Sequence, residues 1–308
     1  MDMKWFLRME KAQKSNGLLV GLSILFSLLL VGCEKDIDID LNTEEPKLVV
    51  EATIENGQPP VVVLTRSLDY YAAVSPQLLA NSFVKGAEVF LSDGNTTAKL
   101  KEYNRSLGGF SLVYYSIDSA DLSTAIIGQL NKGYSLRIVA DGAEYSATTT
   151  IPGLTKRIDS VWWKPAPPQA DPDQVIIMVK ATDPPGFGDY IRYYTARNNG
   201  PLLSPFSSTF DDLFIDGTTY ELPVERGIDR NRQINDRDRF FVKGDTVTLK
   251  LSNIDKATYD FWRTMEFAYA SVGNPFATPI KVQSNISGGA LGYFGGYASQ
   301  YRTLIIPK

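Results

Sequence analysis

Short runs rich in β-branched and aromatic residues, separated by turn signals, constrain the fold of this chain more than any other feature of its sequence. In the first part of the chain these runs are residues 48–54, 61–66, 87–91, 110–115, 134–140 and 144–151. Asn-Gly or Asp-Gly pairs at residues 56–57, 93–94 and 141–142 supply the positive φ that tight hairpins need. Several strands at such close spacing predict an immunoglobulin-like antiparallel β-sandwich over residues 46–152.

A second β-rich domain is predicted over residues 153–308. Pro152-Gly153 interrupts the first pattern, and further strand-like runs follow at residues 158–163, 175–181, 190–197 and 246–251. This segment also contains a clear helical pattern at about residues 255–271, which Gly273 and Pro275 would end. The chain is therefore expected to be mainly β, with one amphipathic helix in its second domain.

Apolar residues recur at i, i+3 and i+4 along the predicted helix and define one side of it. They are Phe261, Trp262, Met265, Ala268, Tyr269 and Val272. This stripe is predicted to pack on the core, and a ligand-binding stripe is the alternative.

Residues 1–32 carry the three parts of an export signal, which are basic residues, an apolar run at 17–31 and a small-residue cleavage site. Residues 30–33 (LVGC) resemble the lipobox of type II signal peptides, in which the cysteine thiol accepts a diacylglyceryl group. The apolar run is shorter than the ~20 residues that span a bilayer. We therefore expect residues 1–32 to be removed and lipidated Cys33 to anchor the protein to a membrane. An ordinary signal peptide with a chance cysteine is the alternative.

Residues 33–45 follow the expected cleavage site and are polar and acidic. They are predicted to form an extended tether. At roughly 3.3 Å per residue, such a tether reaches about 40 Å from the lipid.

The residue types that the chain lacks exclude several kinds of active site. It has no histidine, and its single cysteine is Cys33. Catalytic triads with histidine, histidine-ligated zinc and disulfides are therefore excluded.

The expected mature chain is acidic. Removal of residues 1–32 takes four basic residues from 31 and two acidic residues from 35, which leaves a formal charge of −6. This acidic balance argues against a nucleic-acid partner.

Three aspartates, Asp211, Asp212 and Asp216, precede Gly217 and could offer oxygen ligands to a calcium ion. Their spacing is not that of an EF-hand loop, and an Asp-rich turn is the favoured interpretation.

No catalytic residue and no cofactor is predicted. A pair of carboxylates for glycoside hydrolysis is not excluded, because the distance between two carboxylates in the fold cannot be read from a sequence.

A glycine cluster near the end of the chain does not have the spacing of a dinucleotide-binding loop, so it is interpreted as backbone geometry. Its members are Gly289, Gly292, Gly295 and Gly296.

Several motifs in a fixed order resemble a family of outer-membrane lipoproteins of Bacteroidetes built on domain of unknown function 4249. The motifs are 33–40 (CEKDIDID), 45–51 (EPKLVVE), 85–89 (KGAEV), 211–217 (DDLFIDG), 259–264 (YDFWRT), 274–276 (NPF), 284–289 (SNISGG) and 291–297 (LGYFGGY). The resemblance covers nearly the whole chain after Cys33.

The resemblance implies a location and a partner. Glu34, Lys35 and Asp36 look like the signal that sends such lipoproteins to the outer leaflet of the outer membrane. The family is typically encoded beside TonB-dependent receptors, which implies an accessory role in ligand capture or import. No catalytic residue is assigned in the family, so none is carried over.

Three functions are compatible with these observations. The leading hypothesis is a surface-exposed, non-enzymatic binding or accessory lipoprotein that acts with a TonB-dependent receptor. The second is a surface hydrolase that uses paired carboxylates, with calcium near the three aspartates. The third is an envelope-assembly or adhesion component.

A surface for the receptor is placed on two loops of the second domain, with ordinary strand packing as the alternative. The residues proposed for it are Asn274, Pro275, Phe276, Gly295 and Gly296.

Overall fold

The fold is mainly β, as the sequence predicts. The computed structural model describes residues 45–69, 72–107, 110–233, 235–274, 276–278 and 280–308, and residues 45–308 form one compact unit. These described residues contain fifteen strands and two α-helices. Neither of these helices is long and apolar enough to cross a bilayer.

Numbered in chain order, the strands are β1 (Leu48–Glu55), β2 (Val61–Arg66), β3 (Glu88–Ser92), β4 (Thr97–Leu107), β5 (Phe110–Ser116), β6 (Lys132–Ala140), β7 (Ala143–Ile151), β8 (Arg157–Pro165), β9 (Gln174–Thr182), β10 (Tyr190–Arg197), β11 (Thr209–Phe210), β12 (Thr219–Val224), β13 (Phe241–Val242), β14 (Thr246–Ile254) and β15 (Leu291–Ile305). The helices are α1 (Pro76–Ser82) and α2 (Lys256–Ala270), and a short 3-10 helix spans Asp236–Arg239.

All ten strand-like runs found in the sequence are strands, and the predicted helix is α2. Asp141 and Gly142 both have positive φ, at 51° and 78°, and they join β6 to β7 in a tight hairpin. Helix α2 begins after Asp255, whose carboxylate accepts a hydrogen bond from the backbone N–H of Thr258 at 2.9 Å.

Eleven of the described strands form one sheet in the order β11-β10-β14-β15-β1-β2-β5-β4-β3-β6-β7. Strands β1 and β15 pair in parallel, whereas the other pairs of this sheet are antiparallel. Both predicted segments, residues 46–152 and 153–308, contribute strands to this sheet. The immunoglobulin-like arrangement of the first segment stays a prediction.

Strand β1 shows how the first core is built. Leu48, Val50, Ala52 and Ile54 alternate along it and are all buried on one face, as a half-buried strand requires. They pack with buried side chains of other strands, including Phe294 of β15.

Two glycines of β15 allow neighbouring backbones to approach closely. A Cβ added to Gly292, which has φ of 96°, would lie 1.9 Å from the carbonyl oxygen of Val50. A Cβ on Gly296 would lie 2.4 Å from the carbonyl oxygen of Thr150, where β7 crosses β15. The interpretation of the glycine cluster as backbone geometry is therefore confirmed at these two positions.

A second core lies between β10 and β14 of the large sheet and a smaller sheet centred on β9. Strand β8 pairs along one edge of β9, and β12 and β13 share the other edge. The buried side chains of this core come from both sheets, and they include Ile177, Ile191, Val224, Val247 and Leu249.

The apolar stripe predicted for α2 is only partly correct. Phe261 is buried and stacks on Tyr293 with ring centroids 4.4 Å apart. Met265, Tyr269 and Val272, however, are exposed. The prediction failed there because threonines occupy core-facing positions of the helix. Thr258 and Thr264 are buried, and an apolar pattern does not detect them.

Candidate functional site

An apolar cavity of about 390 Å³ lies between the two sheets of the second core. Its walls come from four strands and comprise Val179, Ala181, Ile191, Val224, Leu249 and Leu251. This volume falls in the range of roughly 300–1,000 Å³ typical of pockets for small molecules. The cavity can therefore hold a ligand with an apolar body.

The loop that follows β11 covers one side of this cavity with apolar side chains. Leu213, Phe214 and Ile215 all line it, and Phe214 is 92% exposed while Leu213 is 62% exposed. Large apolar side chains held in solvent beside a pocket mark a surface that contacts a ligand or a partner.

Two charged residues lie in the lining, and only one of them is paired. The Asp211 carboxylate accepts a hydrogen bond from the Tyr259 hydroxyl at 2.9 Å. Burial and this hydrogen bond raise the pKa of Tyr259 to about 12. Arg263 of α2 is exposed and makes no hydrogen bond or ion pair with any residue that the structure describes. Its guanidinium is free to bind an anionic group.

The covering loop is fixed to the loop between β9 and β10. The Asp212 Oδ2 atom accepts hydrogen bonds from the backbone N–H groups of Gly188 at 2.7 Å and Asp189 at 2.9 Å. Asp216 Oδ1 accepts one from the backbone N–H of Gly186 at 2.6 Å. Two aspartates therefore hold the wall of the cavity in place.

The same contact creates an acidic cluster of Asp183, Asp189 and Asp212. One carboxylate oxygen from each residue lies within 4.8 Å of the others. Asp183 and Asp212 are buried, and Asp189 is half-buried. Burial raises the pKa of Asp183, although the neighbouring Lys156 ammonium opposes this shift.

Lys156 is the cation next to this cluster. Its Nζ lies 3.4 Å from Asp183 Oδ1, and both side chains are fully buried. Within the described part of the chain, neither Lys156 Nζ nor either Asp183 oxygen has a hydrogen-bond partner. The backbone of Lys156 is fixed, because its N–H donates to Asn253 Oδ1 at 3.0 Å and its carbonyl accepts from Gln300 Nε2 at 2.7 Å.

The three aspartates that the sequence offered as calcium ligands do not form one site. Asp212 belongs to the acidic cluster, whereas Asp211 binds Tyr259 and Asp216 binds the backbone of Gly186. Asp216 lies in a turn that the backbone N–H of Thr218 closes by donating to the carbonyl of Ile215 at 3.0 Å.

Sequence reasoning missed Asp183, Asp189, Lys156 and Arg263. One signal was present, because Asp183 and Asp189 bracket a Pro-Pro-Gly-Phe-Gly turn at residues 184–188. Nothing local links that turn to Asp212 or Lys156.

The residues proposed as a receptor surface do not lie together on one surface either, because some are buried and others are exposed. Gly295 and Gly296 are buried in β15, so they are not available to a partner, and this part of the prediction is wrong. The reason is packing, since Thr258 of α2 lies over Gly295 and β7 crosses Gly296. Asn274 is exposed and Phe276 is 94% exposed, while Pro275 lies outside the described residues.

The proposed lipid anchor and export signal, Cys33, Glu34, Lys35 and Asp36, also lie outside the described residues, together with the tether up to residue 44.

Comparison with known proteins identifies the family. No curated protein matches the chain at a significant level. Residues 34–303 match a family described as a domain of unknown function, DUF4249. Because this match covers most of the 308 residues, the chain belongs to the DUF4249 family.

Proposed function

We propose that this protein is a lipid-anchored lipoprotein of the outer-membrane surface that captures a ligand for a TonB-dependent receptor without chemically changing it. The observation that carries the proposal is the apolar cavity whose lining includes Arg263, an exposed arginine without a hydrogen bond or ion pair to the described residues. The lipobox at Cys33 and the acidic residues that follow it support the location, and the family resemblance supports the receptor.

The lining of the cavity favours an apolar ligand that carries an anionic group. Its walls are aliphatic and aromatic, so they bind by excluding water from apolar surface. Among the lining charges, Asp211 already accepts a hydrogen bond from Tyr259, whereas the Arg263 guanidinium donates no hydrogen bond to the residues that the structure describes. Arginine binds carboxylate, sulfonate and phosphate groups through paired N–H donors.

The carboxylates favour binding over hydrolysis. Glycosidases separate their two carboxyl groups by roughly 5–9.5 Å around the scissile bond. Asp183 and Asp212 of the acidic cluster are buried and only Asp189 is half-buried, so the cluster does not present two accessible carboxylates to a substrate. The hydrolase and the envelope-assembly component therefore stay predictions of the sequence, without a described site that favours either.

A fluorescent apolar anion, 1-anilinonaphthalene-8-sulfonate, should bind saturably to the purified protein. Arg263→Gln should weaken this binding about tenfold, because one charged hydrogen-bonding partner is lost. Leu222→Trp should reduce it further, since Leu222 lines the cavity at its exposed side and a tryptophan there fills space. Fluorescence titration measures both effects.

Arg105→Gln is the matched control. Arg105 is an exposed arginine on β4, so the variant has the same net charge as Arg263→Gln. It should bind the probe as the unchanged protein does. Equal affinity in the Arg263→Gln and Leu222→Trp variants would show that the probe binds elsewhere and would remove the support for this pocket.

The receptor partnership has its own test. Native protein extracted from outer membranes with mild detergent and crosslinked should be recovered with a TonB-dependent receptor, identified by mass spectrometry. Phe214→Ser should lower the recovery of that receptor, because Phe214 is the most exposed apolar side chain beside the pocket. Recovery of the lipoprotein alone after crosslinking would contradict the accessory role.

A further inference from the structure

We propose that Asp183, Asp189 and Asp212 bind a divalent cation of the oxygen-preferring class, with calcium as the best fit. This inference is independent of the ligand in the apolar pocket. It rests on the geometry of the three carboxylates and on the buried Asp183 carboxylate among them, whose oxygens lack hydrogen bonds from the described residues.

The geometry suits a cation with oxygen ligands. Calcium binds carboxylate oxygens at 2.3–2.6 Å, so two of its ligands lie at most about 5 Å apart. One oxygen of each aspartate lies within 4.8 Å of the others. These separations are compatible with one ion shared by the three carboxylates.

The buried charges do not balance without a cation. Three aspartates contribute three negative charges, and Lys156 contributes one positive charge. Burying unbalanced charge away from water is costly, so such groups are normally paired, neutralised or bound to metal. A divalent cation would bring the formal charge of this group to zero.

Asp183 points independently to a missing ligand. Its side chain is fully buried, and both of its oxygens lack a hydrogen bond. The Lys156 ammonium at 3.4 Å is farther away than the roughly 2.7–2.9 Å of a charge-assisted hydrogen bond. Buried polar atoms are nearly always satisfied in folded proteins, so these oxygens need another partner.

The other two aspartates complete the site in different ways. Asp212 Oδ2 already accepts two backbone N–H groups, which fixes the carboxylate and leaves Oδ1 for the ion. Asp189 is half-buried, so the cluster is open to solvent on its side. Water molecules can therefore enter there and supply the remaining ligands that calcium requires.

Isothermal titration of CaCl2 into the EDTA-stripped full chain should show one bound ion per chain. Calcium modules outside cells bind at about 0.1–1 mM, which sets the concentrations to use. Calcium should also raise the melting temperature relative to EDTA, because it binds the folded state. The same titration with MgCl2 reports which of the two ions is preferred.

Asp189→Asn should weaken calcium binding by about tenfold or more. This variant is chosen because Asp189 is half-buried and lies outside the Lys156–Asp183 pair, so the fold is preserved. Asp173→Asn is the matched control, since Asp173 is an exposed aspartate outside the cluster, and this variant should bind calcium as the unchanged protein does. Absence of binding heat and of any thermal shift with both ions would overturn the proposal. Equal affinity in Asp189→Asn would do the same.

Discussion

Replacing Phe294 with alanine should lower the free energy of unfolding by about 3–5 kcal/mol. Phe294 is fully buried in the first core, and its strand β15 lies between β1 and β14 in the large sheet. Its backbone N–H and carbonyl are also bound by the Asn285 side chain, at 2.9 and 2.8 Å. The strand therefore cannot shift to fill the cavity that the variant leaves. Chemical denaturation followed by circular dichroism measures the loss.

Leu291→Ala provides the control on the same strand. Leu291 is 43% exposed, so its truncation removes little buried surface and should cost less than about 1 kcal/mol. Similar losses for the two variants would mean that the core is not packed around Phe294 as the structure describes.

Cys33→Ser should move the protein from the membrane fraction to the soluble fraction almost completely. The mature chain is proposed to be held by two or three acyl chains on this thiol, and each buried methylene contributes about 0.8 kcal/mol to membrane binding. Fractionation of cells and mass spectrometry of the mature N-terminus measure the result.

A double variant, Glu34→Ala with Asp36→Ala, separates anchoring from surface export. It should stay in the membrane fraction, because the lipid is unchanged, but it should become inaccessible to protease added outside the cells. An unmodified residue 33 in the native protein, or membrane retention of Cys33→Ser, would contradict the lipid anchor.

The strands that were predicted correctly carry dense β-branched and aromatic patterns that local sequence reveals. Strand β4 was missed because its sequence, TAKLKEYNRSL, is dominated by polar and charged residues. Strand β12 was missed because Pro223 lies inside it, and proline is normally confined to edge strands. That rule fits the structure, since β12 pairs with β9 alone.

The candidate site was much less predictable than the fold. Asp183 and Asp189 flank one loop, Asp212 lies in another, and Lys156 comes from the segment before β8. These residues meet because β9, β10 and the 211–217 loop pack together, and no spacing rule encodes that contact. The pocket lies between two sheets, and the sequence of neither sheet shows that the two pack face to face.

The parallel pairing of β1 with β15 has a consequence for how the chain folds. Asn56, which follows β1, donates a hydrogen bond to the carbonyl of Ser299, 243 residues later. Until β15 is inserted, β1 and β14 each keep an unpaired edge, and unpaired edges invite association with other chains. Such distant pairings also slow folding. Folding of this protein should therefore be limited by the insertion of β15 between β14 and β1.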